Sequence, residues 1–204
     1  MGFTSFNSRK NEVILKDENI VVKSFKDTER FQTEFQTLTL LDGFYSPRIL
    51  KTGIDFIEMQ YIPGDLLLDK YLSADKEQAI RLGHILASTV KNLYVRLGQK
   101  IPFDENFRNY IFFQDIIFRV DFEETQEGKI EDWAAKILSF AILYDAEIQA
   151  KAEFINSFLK TLKISPKEIY SRLNREIIFL SDRWGKVLDQ TDYPYLEKTI
   201  FMKE

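Results

Sequence analysis

The chain of 204 residues has no cysteine, one histidine, five prolines and no long apolar run. Without cysteine there is no disulfide and no thiolate metal site, and the single histidine, His84, has no second one with which to share an ion. A bilayer span needs about 20 predominantly apolar residues, and no segment approaches that. The first residues show neither the basic start nor the hydrophobic run of a secretory signal, so the expected location is cytoplasmic. Charge of one sign is scarce as well. The 28 Lys and Arg against 32 Asp and Glu leave a net −4, which argues against broad nucleic-acid binding. No internal repeat and no low-complexity linker divides the sequence. What is present suits a globular core: 45% hydrophobic residues, 29% charged, and 18 phenylalanines. A chain of this length can close one domain without cross-links.

Polar residues stand where the chemistry of a hard cation would need them. The stretch Pro102-Phe-Asp-Glu-Asn-Phe-Arg-Asn109 leads into two short apolar runs, 110–113 and 116–120, followed by Asp121-Phe-Glu. The runs read as antiparallel strands with Gln114-Asp115 as the turn. Folding them together sets Asn109 beside Asp121 at the open end, with Asp104 one loop upstream. Mg2+ bound to phosphate takes about one or two carboxylates from the protein. Asp and Asn are also common turn residues, so a plain surface hairpin would carry the same ends.

Upstream, 12–15 and 20–25 read as a hairpin around Lys16-Asp-Glu-Asn19. Lys23 falls in its second strand, where a lysine is usually on the solvent face. Asp27-Thr28 is a helix start, and the helix runs to about Leu41 with Phe31, Phe35, Leu38 and Leu41 as its apolar stripe. Glu34 falls inside that stripe at about 100° per residue, while Glu29 falls off it. A carboxylate there is costly unless paired. Strands follow over 48–52 and 54–62, joined through Gly53 and stopped by Pro63-Gly64. Helical spacing then covers 75–97, with His84 as a packed or partly exposed helical residue. Residues 124–129 read as polar and flexible. Helices are expected over 131–143, 146–162 and from Ser165-Pro166 to about Val187; the tail from Asp189 is weakly patterned.

Taken in order, these features resemble the protein-kinase-like superfamily, closest in pattern to compact kinases of lipopolysaccharide sugars, aminoglycosides or choline. Asp-x4-Asn, a hairpin, then Asp-Phe resembles the catalytic and metal loops; Lys23 with Glu34 resembles the Lys–Glu pair; Met59-Gln-Tyr-Ile-Pro-Gly64 resembles the hinge. The resemblance covers about residues 6–145. It implies an α+β, bilobal fold in one domain: a small antiparallel β-sheet lobe with one helix over about 1–62, a hinge at about 60–64, and a mostly helical lobe over about 65–204. It implies ATP and Mg2+ as cofactors. Asp104 would accept the proton of an acceptor hydroxyl, Asn109 and Asp121 would hold Mg2+, and Lys23, held by Glu34, would bind the α and β phosphates. Met59 would border the adenine, and Gln60 and Ile62 would meet it through main-chain atoms. Asp132 matches an Asp that braces the catalytic loop from behind, although a helix start favours an acid there in any case.

Several positions depart from the pattern. A glycine-rich loop over the phosphates is missing: Gly2-Phe-Thr-Ser-Phe-Asn-Ser-Arg-Lys10 has one glycine, and Ser5, Asn7 or Ser8 could replace its amides only in part. Pro102-Phe103 stands where a His or Arg usually precedes the catalytic Asp, and Asn106 stands where many protein kinases carry Lys. About 10 residues separate Asp121 from the helix at Glu131, too few for a protein-kinase activation loop, which favours a small molecule or sugar over a protein as acceptor. Four readings are open: an ATP- and Mg2+-dependent kinase of an alcohol, a kinase-like module that binds a nucleotide or partner without turnover, a serine/threonine protein kinase, and a purely structural α+β domain, which requires the whole ordered series to be coincidence.

Overall fold

The computed structural model describes residues 4–6 and 11–202, without the side chains of Thr4, Ser5 and Asp17. Its first part holds strands β1 (Thr4–Phe6), β2 (Glu12–Asp17) and β3 (Ile20–Ser24), helix α1 (Thr28–Leu41), then β4 (Ile49–Thr52) and β5 (Phe56–Gln60). The strands form one antiparallel sheet in the order β1-β2-β3-β5-β4. Side chains alternate between faces along a strand. Val21 lies opposite Met59 and Lys23 opposite Ile57, which places the lysine on the same face as two buried apolar residues. That face meets α1, where Phe25 packs edge to face on Phe31 at 5.5 Å. The start of α1 is fixed by Asp27, whose carboxylate accepts from the amides of Glu29 (2.9 Å) and Arg30 (3.2 Å).

The chain leaves β5 through Ile62-Pro63-Gly64 and passes close to the later hairpin. A Cβ on Gly64 would lie 2.4 Å from the carbonyl oxygen of Phe112, so only glycine fits there. The remainder is mostly helical: β6 (Asp65–Leu66), α2 (Leu67–Leu72), α3 (Lys76–Arg96), β7 (Lys100–Pro102), β8 (Tyr110–Phe113), β9 (Ile116–Arg119), β10 (Thr125–Glu127), α4 (Ile130–Leu143), α5 (Ile148–Leu162), α6 (Pro166–Trp184) and α7 (Tyr193–Leu196), which continues into a π-helical turn to Phe201. The β8–β9 turn is Gln114-Asp115, both with positive φ (47° and 61°), the twist a two-residue hairpin needs. Strand β6 adds to this hairpin, and β7 pairs with β10.

Helix α4 is buried along most of its length, including Trp133, Ile137, Leu138 and Ile142, and forms the centre of the second part. Its last carbonyls, which a helix leaves unpaired, are all answered. Tyr71 donates to Ala141 (2.8 Å), Lys151 to Ile142 (3.1 Å) and Lys186 to Leu143 (2.6 Å). Helices α3 and α5 approach closely at Gly83, where a Cβ would lie 2.6 Å from the Phe154 carbonyl.

Four expectations shift. Residues 125–127, read as flexible, form β10, which pairs with Lys100–Pro102; Thr-Gln-Glu offers no apolar alternation that would mark a strand. Strand β5 begins at Phe56 because Ile54 and Asp55 form the bend before it, with Ile54 almost fully exposed. Helix α6 ends at Trp184 because Gly185 caps it in the left-handed conformation (φ 65°). The tail is more ordered than its pattern suggests: Tyr193, Leu196, Ile200 and Phe201 are buried.

Candidate active site

Strand β3, helix α1 and the segment after β9 bring one base and three acids together. Lys23 Nζ lies 2.7 Å from Asp121 Oδ1, 3.1 Å from Glu34 Oε2 and 3.3 Å from Glu123 Oε2. Glu34 Oε2 also accepts from the Phe122 amide (2.8 Å), so α1 is tied to the backbone after β9 as well as to the lysine. Lys23 is 6% exposed and Glu34 1%. Arg30, one helical turn before Glu34, donates to Glu123 (2.9 Å) and pairs with Glu124, and Asn11 hydrogen-bonds Glu123 from the other side. Glu34, Asp121 and Glu123 each offer an oxygen within 4.8 Å of the others, but the Lys23 ammonium already stands among them as their cation. Asp121 sits at φ 70°, a left-handed conformation that costs a residue with a Cβ and that Asp tolerates better than most.

The electrostatics follow from burial and these contacts. Burial alone would lower the Lys23 ammonium, but Glu34, Asp121 and Glu123 together hold it above the ordinary lysine range. Burial pushes Glu34 up to about 7, against the pull of Lys23. Burial also works to raise Asp121, yet Lys23 holds it below the usual carboxylate range. Glu34 therefore makes a prediction of definite sign. A carboxyl raised in the folded state stabilises most below its unfolded value of about 4.5, and that contribution is lost as pH rises through about 7. Glu34→Gln copies the protonated form, and Lys23 keeps two other carboxylates. The variant is expected to melt above the wild type at about pH 8, with the gap narrowing towards about pH 5. Thermal unfolding at the two pH values checks this; a gap that widens on acidification contradicts it.

The second half of the site is the loop 104–109. Val120 donates to the Asn109 carbonyl (2.8 Å), which carries the β8–β9 pairing past Arg119 and leaves Asn109 beside Asp121. Asn109 Nδ2 donates to the Asp104 carbonyl (3.2 Å), and its Oδ1 has no protein partner among the described residues. Asp104 is exposed; its Oδ1 accepts from the Asn106 amide (3.1 Å). Tyr144, at the end of α4, donates to Asn106 Oδ1 (3.0 Å) and accepts from the Phe107 amide (3.3 Å). Beneath the loop, Glu105, Tyr110 and Arg119 are fully buried together. The free Asn109 Oδ1 and the Asp121 carboxylate, whose side chain is 37% exposed, are two hard oxygens suited to a divalent cation.

Beside Asp104 a shallow groove of about 30 Å³ lies between α4 and α6, lined by Phe103, Lys136, Phe140, Glu176 and Arg183. Lys136 lies over the Phe103 ring at 4.9 Å and 3.5 Å from Glu176. At the end of β5 and just after it, Met59 and Ile62 are buried and Gln60 is exposed. The Gln60 amide donates to Arg48 (2.9 Å) and the Ile62 carbonyl accepts from Gly64 (2.9 Å), while the Ile62 amide has no partner among the described residues.

Of the residues singled out from sequence, Lys23, Glu34 and Asp121 meet directly, and Asp104 and Asn109 share one loop beside them. Asp132 does not reach that loop. Its oxygens accept from Arg172 (2.8 Å) and from the Lys129 amide (3.1 Å), because the acid caps its own helix and ties it to α6. His84 bonds Thr161 across the α3–α5 surface (3.0 Å). The Ser5 side chain, Asn7 and Ser8 lie outside the described residues. Sequence reasoning missed Arg30, Glu123, Glu105, Arg119 and Tyr144. Only Arg30 carried a signal, standing four residues before Glu34 on one helix face.

No protein-family model matches the chain, and no curated protein does. Solved structures do. The ternary complex of APH(2'')-IIa with streptomycin and ATP matches at a TM-score of 0.66 and 14% identity, over 93% of this chain and 88% of that one. A putative fructosamine-3-kinase from Thermobifida fusca matches at 0.56 and 13%, over 86% and 84%. The amicoumacin kinase hAmiN, in complex with AMP-PNP, Ca2+ and amicoumacin, matches at 0.56 and 13%, over 92% and 82%. The chain thus has the protein-kinase-like fold of small-molecule kinases, α+β with a small antiparallel N-terminal sheet and a mostly helical remainder. No helix among the described residues is long and apolar enough to cross a membrane.

Proposed function

We propose that the chain is an ATP- and Mg2+-dependent phosphotransferase acting on an alcohol group of a small molecule or sugar. The observation that carries this is Lys23: a buried ammonium on β3 held by Glu34 of α1 and by Asp121. Burying one lysine among three carboxylates carries a desolvation cost, and such charge clusters gather at functional sites. Lys23 would turn to the α and β phosphates, with Glu34 keeping it charged and in place. The Ile62 amide, without a partner among the described residues, would donate to an adenine edge, with the Gln60 main chain and Met59 beside it. Asn109 and Asp121 would hold Mg2+, whose chemistry is to neutralise the charge on the transferring phosphoryl group. Asp104, exposed at the mouth of the groove, would orient the acceptor hydroxyl and take its proton. The shallow groove beside it carries Lys136 and Arg183, the acids Asp104 and Glu176, and three phenylalanine rings. A reaction that consumes ATP fits a cytoplasmic protein.

The second reading is a kinase-like module that binds nucleotide without turnover. It is favoured by Lys23 having three acid partners already and by Phe103 standing before Asp104. The test is incubation of the purified chain with ATP, Mg2+ and a panel of sugars, neutral polyols and aminoglycosides, read by mass spectrometry. Gain of a phosphoryl group on one acceptor class supports the kinase. Nucleotide binding with no product supports the second reading, and no nucleotide binding contradicts both.

A further inference from the structure

We propose that Arg119 is the positioning residue of the catalytic loop, setting Asp104 in place against Asp121; the inference rests on the phosphotransferase reading. The residue before Asp104 is Phe103, an exposed ring with no donor to offer the loop. The donor comes from the last position of β9. Arg119 Nη2 donates to the Asp104 carbonyl (3.1 Å) and lies 3.3 Å from Glu105 Oε1. That carbonyl also accepts from Asn109 Nδ2, so Asp104 and Asn109 meet at one oxygen that Arg119 also holds.

The guanidinium is clamped in its own right. It lies over the ring of Tyr110 (5.3 Å) and over the ring of Phe122 (5.2 Å), the residue directly after Asp121. Tyr110 in turn hydrogen-bonds Glu105. One buried side chain therefore touches the main chain of Asp104, the acid next to it, and the aromatic next to Asp121. As a device for stability alone it is a poor one. Nε and Nη1 have no acceptor among the described residues, and well-packed apolar side chains often replace a buried ion pair at no cost. What the arrangement does supply is a fixed relation between two loops, through a planar group that a lysine cannot imitate. An error of about 1 Å in such a relation costs on the order of a hundredfold in rate.

The test is the double variant Arg119→Met/Glu105→Gln, which removes both buried charges while keeping volume and an acceptor for Tyr110. Arg119→Lys, which keeps the charge without the fork, is the companion should the double variant not fold. Both are expected to bind ADP within about threefold of wild type. ATP turnover, with water as acceptor, is expected to fall about thirtyfold or more in kcat, with KM for ATP within about threefold. The amides of Asn106 and Asn109 are expected to exchange with deuterium about tenfold faster, while the amide at position 119, bonded to Tyr45, is unchanged. A merely structural pair would move the melting temperature and neither readout. A folded variant with wild-type kcat and wild-type exchange overturns the proposal and leaves the phosphotransferase reading standing. A wild-type chain that transfers no phosphoryl group to water or to any acceptor of the panel overturns that reading, and the exchange data then decide on Arg119 by themselves.

Discussion

Asp104→Asn is expected to slow phosphoryl transfer about 10²–10⁴-fold and to leave nucleotide affinity and melting temperature near wild type. The reason lies in which atoms the fold uses. The bonds that hold the loop, from Asn109 and Arg119, go to the main-chain oxygen of Asp104. The one amide its side chain accepts, that of Asn106, can bond an Asn side-chain oxygen equally well. The substitution therefore takes away proton acceptance and little else. Single-turnover rates with saturating ATP, alongside thermal unfolding, separate the effects. Full transfer activity in the variant would remove Asp104 from the chemistry.

Lys23→Met is expected to do more damage, because it removes the cation that Glu34, Asp121 and Glu123 share among the described residues. Breaking a buried ion pair from one side costs about 3–5 kcal/mol. Arg30 retains Glu123, so the unpaired charge falls on Glu34 and Asp121. Crowded acids without a cation have raised folded-state values, so their protonated forms are favoured by folding. Stability of the variant should then recover as pH falls and decline as it rises through neutrality. Nucleotide affinity should drop at every pH. Urea unfolding of wild type and variant at about pH 5 and pH 8 reads the sign; a deficit that is the same at both pH values contradicts this account of the cluster.

Much of the site is readable from local spacing. Glu34 could be found because a carboxylate inside the Phe31–Leu38–Leu41 stripe demands a partner, and it lies 1% exposed with Lys23 as that partner. Asn109 and Asp121 could be brought together because two four-residue strands joined by Gln114-Asp115 admit one way of folding back. The cap at Asp27 and the start at Ser165-Pro166 are set by side chains within three residues of the amides they accept from. Lys23 itself was ambiguous. Strand alternation says which residues share its face but not which face is covered, and only packing on α1 decides that. Where contacts depend on the path of the chain rather than on local spacing, the sequence is silent. Glu105 and Arg119 are 14 residues apart and look like surface charges, yet both are fully buried because the loop folds under itself. Asp132 carries the right identity at the right place and still turns to Arg172, since its own helix start and a neighbouring helix compete for it.

The most direct measurement is the affinity of a non-hydrolysable ATP analogue by calorimetry, with and without Mg2+, in the wild type and in Asp121→Asn. Mg2+ is expected to raise wild-type affinity about tenfold or more, and the gain is expected to disappear in Asp121→Asn. An affinity indifferent both to Mg2+ and to Asp121 would contradict the assignment of this cleft as a metal–nucleotide site.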